Sequence, residues 1–103
     1  MSPDLSAMAG VDRVIHEPAR LMIVTVLYTV EEADFLYLLN ATRLTKGNLS
    51  AHLGKLEEAG YVQIEKTFRG KIPQTLIRLT GAGRTAFENY RNHLKKIMDT
   101  LNG

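Results

Sequence analysis

The side chains of this sequence with chemistry to offer are three His, eleven Asp or Glu and thirteen Lys or Arg; Cys is absent. Asp12 and His16 stand four residues apart and His93 and Asp99 six apart. Neither spacing assembles a ligand set on one helix face, so no metal is expected. No Ser–His–Asp order, Gly-rich phosphate loop or paired acids suited to a pocket is present, so neither an enzyme nor a cofactor is expected. The lack of Cys removes disulfides, thiolate metal sites and cysteine catalysis, and fits a reducing cytoplasm as the expected location. The longest apolar run, Leu21 to Tyr28, is broken only by Thr25. It is far shorter than the roughly 18 residues a membrane-spanning helix needs. No basic cluster precedes an apolar stretch at the N-terminus, so no secretion signal is expected.

The cations are unevenly placed. The net charge is +2, but residues 1–42 carry −4, residues 43–84 carry +5 and residues 85–103 carry +1. A local basic module attracts polyanions even when the whole chain is nearly neutral. Solvated lysines on any surface would give the same count, so charge alone leaves nucleic acid at even odds.

The elements that must position these cations follow from periodicity. Residues 1–10, rich in Ser, Pro, Ala and Gly, are expected to form a loose arm, and residues 11–103 a single domain. Asp12 to Val30 is expected as a helix, with Pro18 marking a new first turn. Its apolar residues fall almost all round, so it should be buried on every side, part of it against something other than its own core. A partial strand over Ile23 to Tyr28 is the alternative. Glu31, Glu32 and Asp34 place negative charge where the next helix dipole favours it, and Phe35, Leu38 and Leu39 follow at helical spacing. Thr45 is the expected N-cap of a further helix that carries Leu49, Leu53 and Leu56 inward. Gly60 is the expected left-handed stop. Val62 and Ile64 alternate with Gln63 and Glu65 in a first strand over Tyr61 to Phe68. Residues 69–73 form a turn-rich tip, and Thr75 to Leu79 a second strand. Thr80 caps a last helix on which Phe87, Tyr90, Leu94, Ile97 and Leu101 step by three and four, an apolar seam of two heptads.

Two short helices joined by a polar turn, then a hairpin with a basic tip, make a mainly α fold with the layout of a winged helix-turn-helix. LTKGNLSAHLGKLEEAGYVQIEK, Leu44 to Lys66, resembles the recognition helix and first wing strand of MarR- and ArsR-like regulators. IRLTGAGR, Ile77 to Arg84, resembles their second wing strand and helix start, which pair a Leu-Thr with a nearby Gly-Arg. The resemblance implies a repressor that binds duplex DNA as a homodimer, with the terminal helices at the interface. It also implies a small aromatic effector, for which Tyr28, Phe35, Tyr37 and Tyr90 are candidate lining residues; core packing explains these four equally well.

With Leu49, Leu53 and Leu56 inward, a rotation of about 100° per residue turns Gly47, Ala51 and Gly54 outward. Lys46 and Ser50 then flank one side, Asn48 and Lys55 the other. Small outward residues let the helix backbone approach another surface, and the flanking polar groups reach base edges or phosphates. Relatives often carry a basic or long polar residue where Ala51 and Gly54 stand, so fewer direct base contacts are expected, from Lys46, Asn48 and Ser50. Thr45 adds at most a phosphate contact, and His52 either packs beside the leucines or meets a phosphate. On the wing, Lys66, Thr67, Arg69, Gly70 and Lys71 are expected at the minor groove or its phosphates. The expected dimer surface comprises Val14, Leu21, Val24, Phe87, Tyr90, Leu94, Ile97, Met98 and Leu101. A winged helix serving as a protein-interaction module, and one binding structured RNA, remain as alternatives.

Overall fold

The first described helix starts later than periodicity suggested, because two carboxylates cap two separate turns. In the computed structural model, which describes residues 9–102, the Asp12 carboxylate accepts from the backbone N–H of Val14 at 2.9 Å and of Ile15 at 3.1 Å. Glu17 then N-caps helix α1, Pro18–Tyr28, accepting from Ala19 at 3.1 Å and Arg20 at 2.8 Å. Pro18 sits in the first turn, where its missing N–H costs nothing. The expected helix over Asp12 to Val30 is thus shortened at both ends, and Ile23 to Tyr28 is helix rather than strand. Most of the expected N-terminal arm, residues 1–8, lies outside the described residues.

Asp34 closes a two-residue strand β1, Ala33–Asp34, and caps α2, Phe35–Thr42, by accepting from Tyr37 N–H at 2.7 Å. Thr45 caps α3, Lys46–Glu58, through the N–H of Asn48 at 3.1 Å. The helix ends in a Schellman motif: Tyr61 N–H donates to Leu56 O, Gly60 N–H donates to Glu57 O, and Gly60 holds φ +80°. Strand β2, Val62–Arg69, pairs antiparallel with β3, Ile72–Leu79, from Val62↔Leu79 out to Arg69↔Ile72. β1 joins the far edge of β3, giving the order β1-β3-β2. The hairpin is longer than its turn-forming composition suggested, since only Gly70 and Lys71 lie between the strands. Pro73 is tolerated in β3 because Arg69 and Ile72, beside a two-residue turn, take the hydrogen-bonded pairing. The next pair, Phe68↔Pro73, is then non-hydrogen-bonded, so the proline nitrogen faces an edge that β1 does not reach.

The core gathers one face from each element: Ile15, Ile23, Val24, Leu27, Leu38, Leu49, Leu56 and Ile77 are fully buried. α1 is buried along one stripe and not on every side, Met22 remaining 42% exposed. The last helix, α4, runs 22 residues from Gly81 to Asn102. Its buried residues, Gly83, Phe87 and Tyr90, all lie in its first half. Beyond them Leu94 still packs against the core, and no later described residue of α4 does; the molecule measures 63 × 25 × 21 Å. The radius of gyration, 15.8 Å, accordingly exceeds the about 13 Å of a compact chain this long.

One tie fastens the turn before α1 to the base of the wing. The Tyr61 hydroxyl donates to the Asp12 carboxylate. That bond, then burial and the Asp12 charge, pushes the Tyr61 phenol up to about 12. A raised folded-state pKa means the unfolded chain loses the proton first as pH climbs. The associated stability is therefore intact below about pH 10 and lost between pH 10 and 12. In an ultraviolet phenolate titration the Tyr61 step should come last among the four tyrosines, and Asp12→Asn should bring it earlier.

Candidate nucleic-acid interface

Burying Leu49, Leu53 and Leu56 against the core leaves the opposite side of α3 in solvent. Thr45, Lys46, Gly47, Asn48, Ser50 and Ala51 are all exposed, a continuous surface over the first two turns. Lys55 is exposed further along, over a hollow lined by Arg13, Val14, Arg20 and Glu58. Nothing lies within 4 Å of the Cβ that Gly47 or Gly54 would carry. Internal packing therefore does not require these glycines. Gly54→Ala should raise fold stability by up to about 1 kcal/mol, the usual cost of glycine in a helix interior, measurable as a higher denaturant midpoint.

His52 does not join this surface. Its ring Nδ1 stands 3.2 Å from Arg20 Nη1 and 3.5 Å from the Glu17 carboxylate. The Arg20 Nε–H in turn donates to Val14 O at 2.6 Å. Burial raises the Glu17 pKa, but the Arg20 and Ala19 N–H bonds and the charges of His52 and Arg20 outweigh it, leaving it lowered. His52 thus ties α3 to the start of α1.

On the wing, Lys66, Arg69, Gly70 and Lys71 are exposed and Thr67 is half-buried. Lys66, Arg69 and Lys71 make no ion pair among the described residues, and neither does Lys46. Arg78 is different: it pairs with Glu65 at 2.9 Å and Glu32 at 3.7 Å, so it lends the outer surface little positive charge. Two wing residues absent from the expected interface, Phe68 and Ile72, are 68% and 69% exposed. Period-two alternation marked their neighbours as strand but could not show that the hairpin outruns the core.

The expected dimer residues divide. Val24, Phe87 and Tyr90 are buried inside the single chain, at 0, 7 and 3% exposure, and present no surface to a partner. Phe87 packs on Tyr28 with ring centroids 4.9 Å apart, and the Tyr90 hydroxyl meets His16 Nδ1 at 2.9 Å. Val14, Leu21, Leu94 and Ile97 are half-buried, while Met98 and Leu101 are 60% and 65% exposed. The four candidate effector-lining aromatics do not converge. Tyr28 packs on α4, with its hydroxyl donating to Glu88 at 3.1 Å and the Arg84 guanidinium 4.8 Å from its ring. Phe35 borders a groove under the wing, Tyr90 lines a hollow with Asp12 and Tyr61, and Tyr37 is exposed. Among the described residues no three His, Asp or Glu side chains are placed to hold a metal ion, and no helix is long and apolar enough to cross a membrane.

A family model described as a winged helix DNA-binding domain matches residues 19–98. The chain belongs to that family. The match takes in α3, the wing and most of α4, and the family is one of DNA-binding regulators, not of enzymes. An uncharacterised protein of Methanocaldococcus jannaschii is 40% identical over 79 residues, which span 76% of this chain and 85% of that one. A transcriptional regulator homologue from Pyrococcus horikoshii superimposes with a TM-score of 0.89 at 26% identity, over 96% of this winged helix chain and all of the other. A putative MarR-family regulator from Porphyromonas gingivalis shares the fold over 95% of both chains, with a TM-score of 0.69 at 15% identity. The architecture is thus that of MarR-like regulators.

Proposed function

We propose that this chain represses transcription by binding duplex DNA as a homodimer, with α3 in the major groove and the β2–β3 wing on the minor groove or its phosphates. The observation that carries this reading is the exposed first half of α3, where Lys46, Asn48 and Ser50 surround the small Gly47 and Ala51. Such a surface admits the helix backbone close to base edges, with Lys46, Asn48 and Ser50 as readers and Thr45 and Lys55 on phosphates. Gly54, unconstrained from inside, fits the same need for close approach. Gly54→Ala should therefore weaken DNA binding while it stabilises the fold. A variant that gained stability and kept full affinity would remove the close-approach reading.

The dimer is supported by the far half of α4, where Ile97, Met98 and Leu101 continue the seam past Leu94, which still packs against the core. Met98 and Leu101, 60% and 65% exposed, are the apolar side chains most open to a second copy; Val14 and Leu21, half-buried against the core, complete the proposed interface. A two-fold dimer would set two α3 helices about 34 Å apart, one turn of the duplex. Sedimentation at micromolar concentration should give twice 11.5 kDa. Competition between duplex DNA and duplex RNA of matched sequence tests the partner: DNA should win. Stronger competition by RNA would favour RNA, and binding to neither would favour a protein-interaction module. A small aromatic effector remains part of the proposal only as a ligand of the assembled dimer.

A further inference from the structure

The wing tip carries a feature that phosphate binding does not explain. Phe68 and Ile72, at 68% and 69% exposure, stand on either side of the Gly70-Lys71 turn. The register Phe68↔Pro73 and Arg69↔Ile72 puts them on opposite faces of the hairpin. Ile72 borders a groove shared with Phe35 and Leu36, whereas Phe68 continues the core-facing row of Val62 and Ile64 past the end of the core. Residues 66–79 contain no acid. Lys66, Arg69 and Lys71 make no ion pair among the described residues. Lys66, two residues along the strand, shares the face of Phe68, Arg69 lies on the other face with Ile72, and Lys71 stands in the turn. Apolar side chains at an open hairpin end invite edge-to-edge association, which surrounding charge only partly deters.

We propose that Phe68 is a wedge that parts a base step in the minor groove and bends the duplex, with Ile72 packing on the flanking sugar edges. This rests on the DNA-binding reading above and goes beyond it. An exposed ring on a hairpin tip whose two faces and turn each carry a cation is complementary to stacked bases lying between two rows of phosphates, and a two-stranded tip is narrow enough to present it there. Aromatic and aliphatic side chains unstack base steps in this way when Lys or Arg beside them hold the backbone. The wedge supplies what α3 lacks. With few long side chains on its outer face, the protein gains selectivity by favouring steps that open easily, pyrimidine–purine steps above all.

The test uses short mixed-sequence duplexes with 2-aminopurine beside either a central TpA step or the same position in an A-tract. Wild-type protein should raise 2-aminopurine fluorescence at the TpA step and bind that duplex about tenfold tighter than the A-tract one. Phe68→Ala should lose the fluorescence rise and bring the two affinities within about twofold, while the salt slope of binding, set by the cations, stays unchanged. Phe68→Leu, which keeps an apolar wedge, should retain most of the rise. Tight binding of wild-type protein with no unstacking, or an identical signal from Phe68→Ala, overturns the wedge and leaves the DNA-binding reading intact. Failure to bind any duplex overturns both. Co-sedimentation with anionic phosphatidylserine vesicles that is lost in Phe68→Ala, with DNA binding unaffected, would assign the tip to a lipid surface and overturn the wedge as well.

Discussion

Gly83→Ala should cost about 3 kcal/mol of stability or more, the upper part of the range for overpacking a rigid site. A Cβ at Gly83 would stand 2.1 Å from Tyr61 O and 2.9 Å from Tyr61 C, both backbone atoms that cannot swing aside. Two other bonds fix the same junction. Thr80 N–H donates to Tyr61 O at 3.0 Å, and the Thr80 hydroxyl donates to Gly60 O at 2.6 Å while accepting from Gly83 N–H at 3.0 Å. The first turn of α4 therefore presses directly on the strand that leaves α3. Forcing it outward breaks the Thr80 bonds and moves α4 relative to the wing. Urea unfolding should show a much lower midpoint with little change in slope. Gly81→Ala, where nothing lies within 4 Å, should be close to neutral. Equal stability of the two variants would mean that α4 does not meet the wing base as described.

Replacing Lys66, Arg69 and Lys71 together with Ala should lower DNA affinity by about two orders of magnitude at roughly 0.1 M salt. Each exposed cation on a phosphate releases close to one counterion, so the slope of log K against log salt should become shallower by about 2.7 per wing engaged. Arg69→Ala alone should account for about one unit. The loss should fall alike on all sequences, because phosphates carry no base identity. The fold should be unaffected within about 0.5 kcal/mol, since all three side chains lie in solvent. Anisotropy titrations at several salt concentrations check this. An unchanged slope would place the wing away from the DNA.

Local caps at Thr45, Gly60 and Thr80 were legible, while Asp34, expected as a charge at a helix start, turned out to be the cap itself, and the caps Asp12 and Glu17 carried no signal in the periodicity. Each threonine acts within three residues of its own position, and Gly60 supplies the left-handed turn that its place after Ala59 implied. The buried row Leu49, Leu53 and Leu56 was readable for the same reason, as a local period against one core. Long-range facts were not. Phe87 and Tyr90 look from spacing like part of one seam with Leu94 and Ile97, yet they fill the domain's own core. Periodicity shows that a face is apolar and not which neighbour covers it. His52 was ambiguous because its partners, Glu17 and Arg20, lie more than thirty residues away. β1 is too short to have a period, and it forms because Ala33 and Asp34 find Ile77 and Leu76. The Leu-Thr and Gly-Arg pairing of the resemblance gained a physical reason, with Thr80 as cap and hinge bond and Gly83 as the only side chain small enough to sit against Tyr61 O.

If the cations of α3 and the wing grip duplex DNA, wild-type binding to a short mixed-sequence duplex, followed by fluorescence anisotropy, must depend steeply on salt. A dimer engaging Lys55, Lys66, Arg69 and Lys71 of each copy on phosphates should bind at about 50 mM salt and weaken with a log–log slope near −7. No binding at that salt, or a slope near zero, would mean that these cations do not hold DNA phosphates.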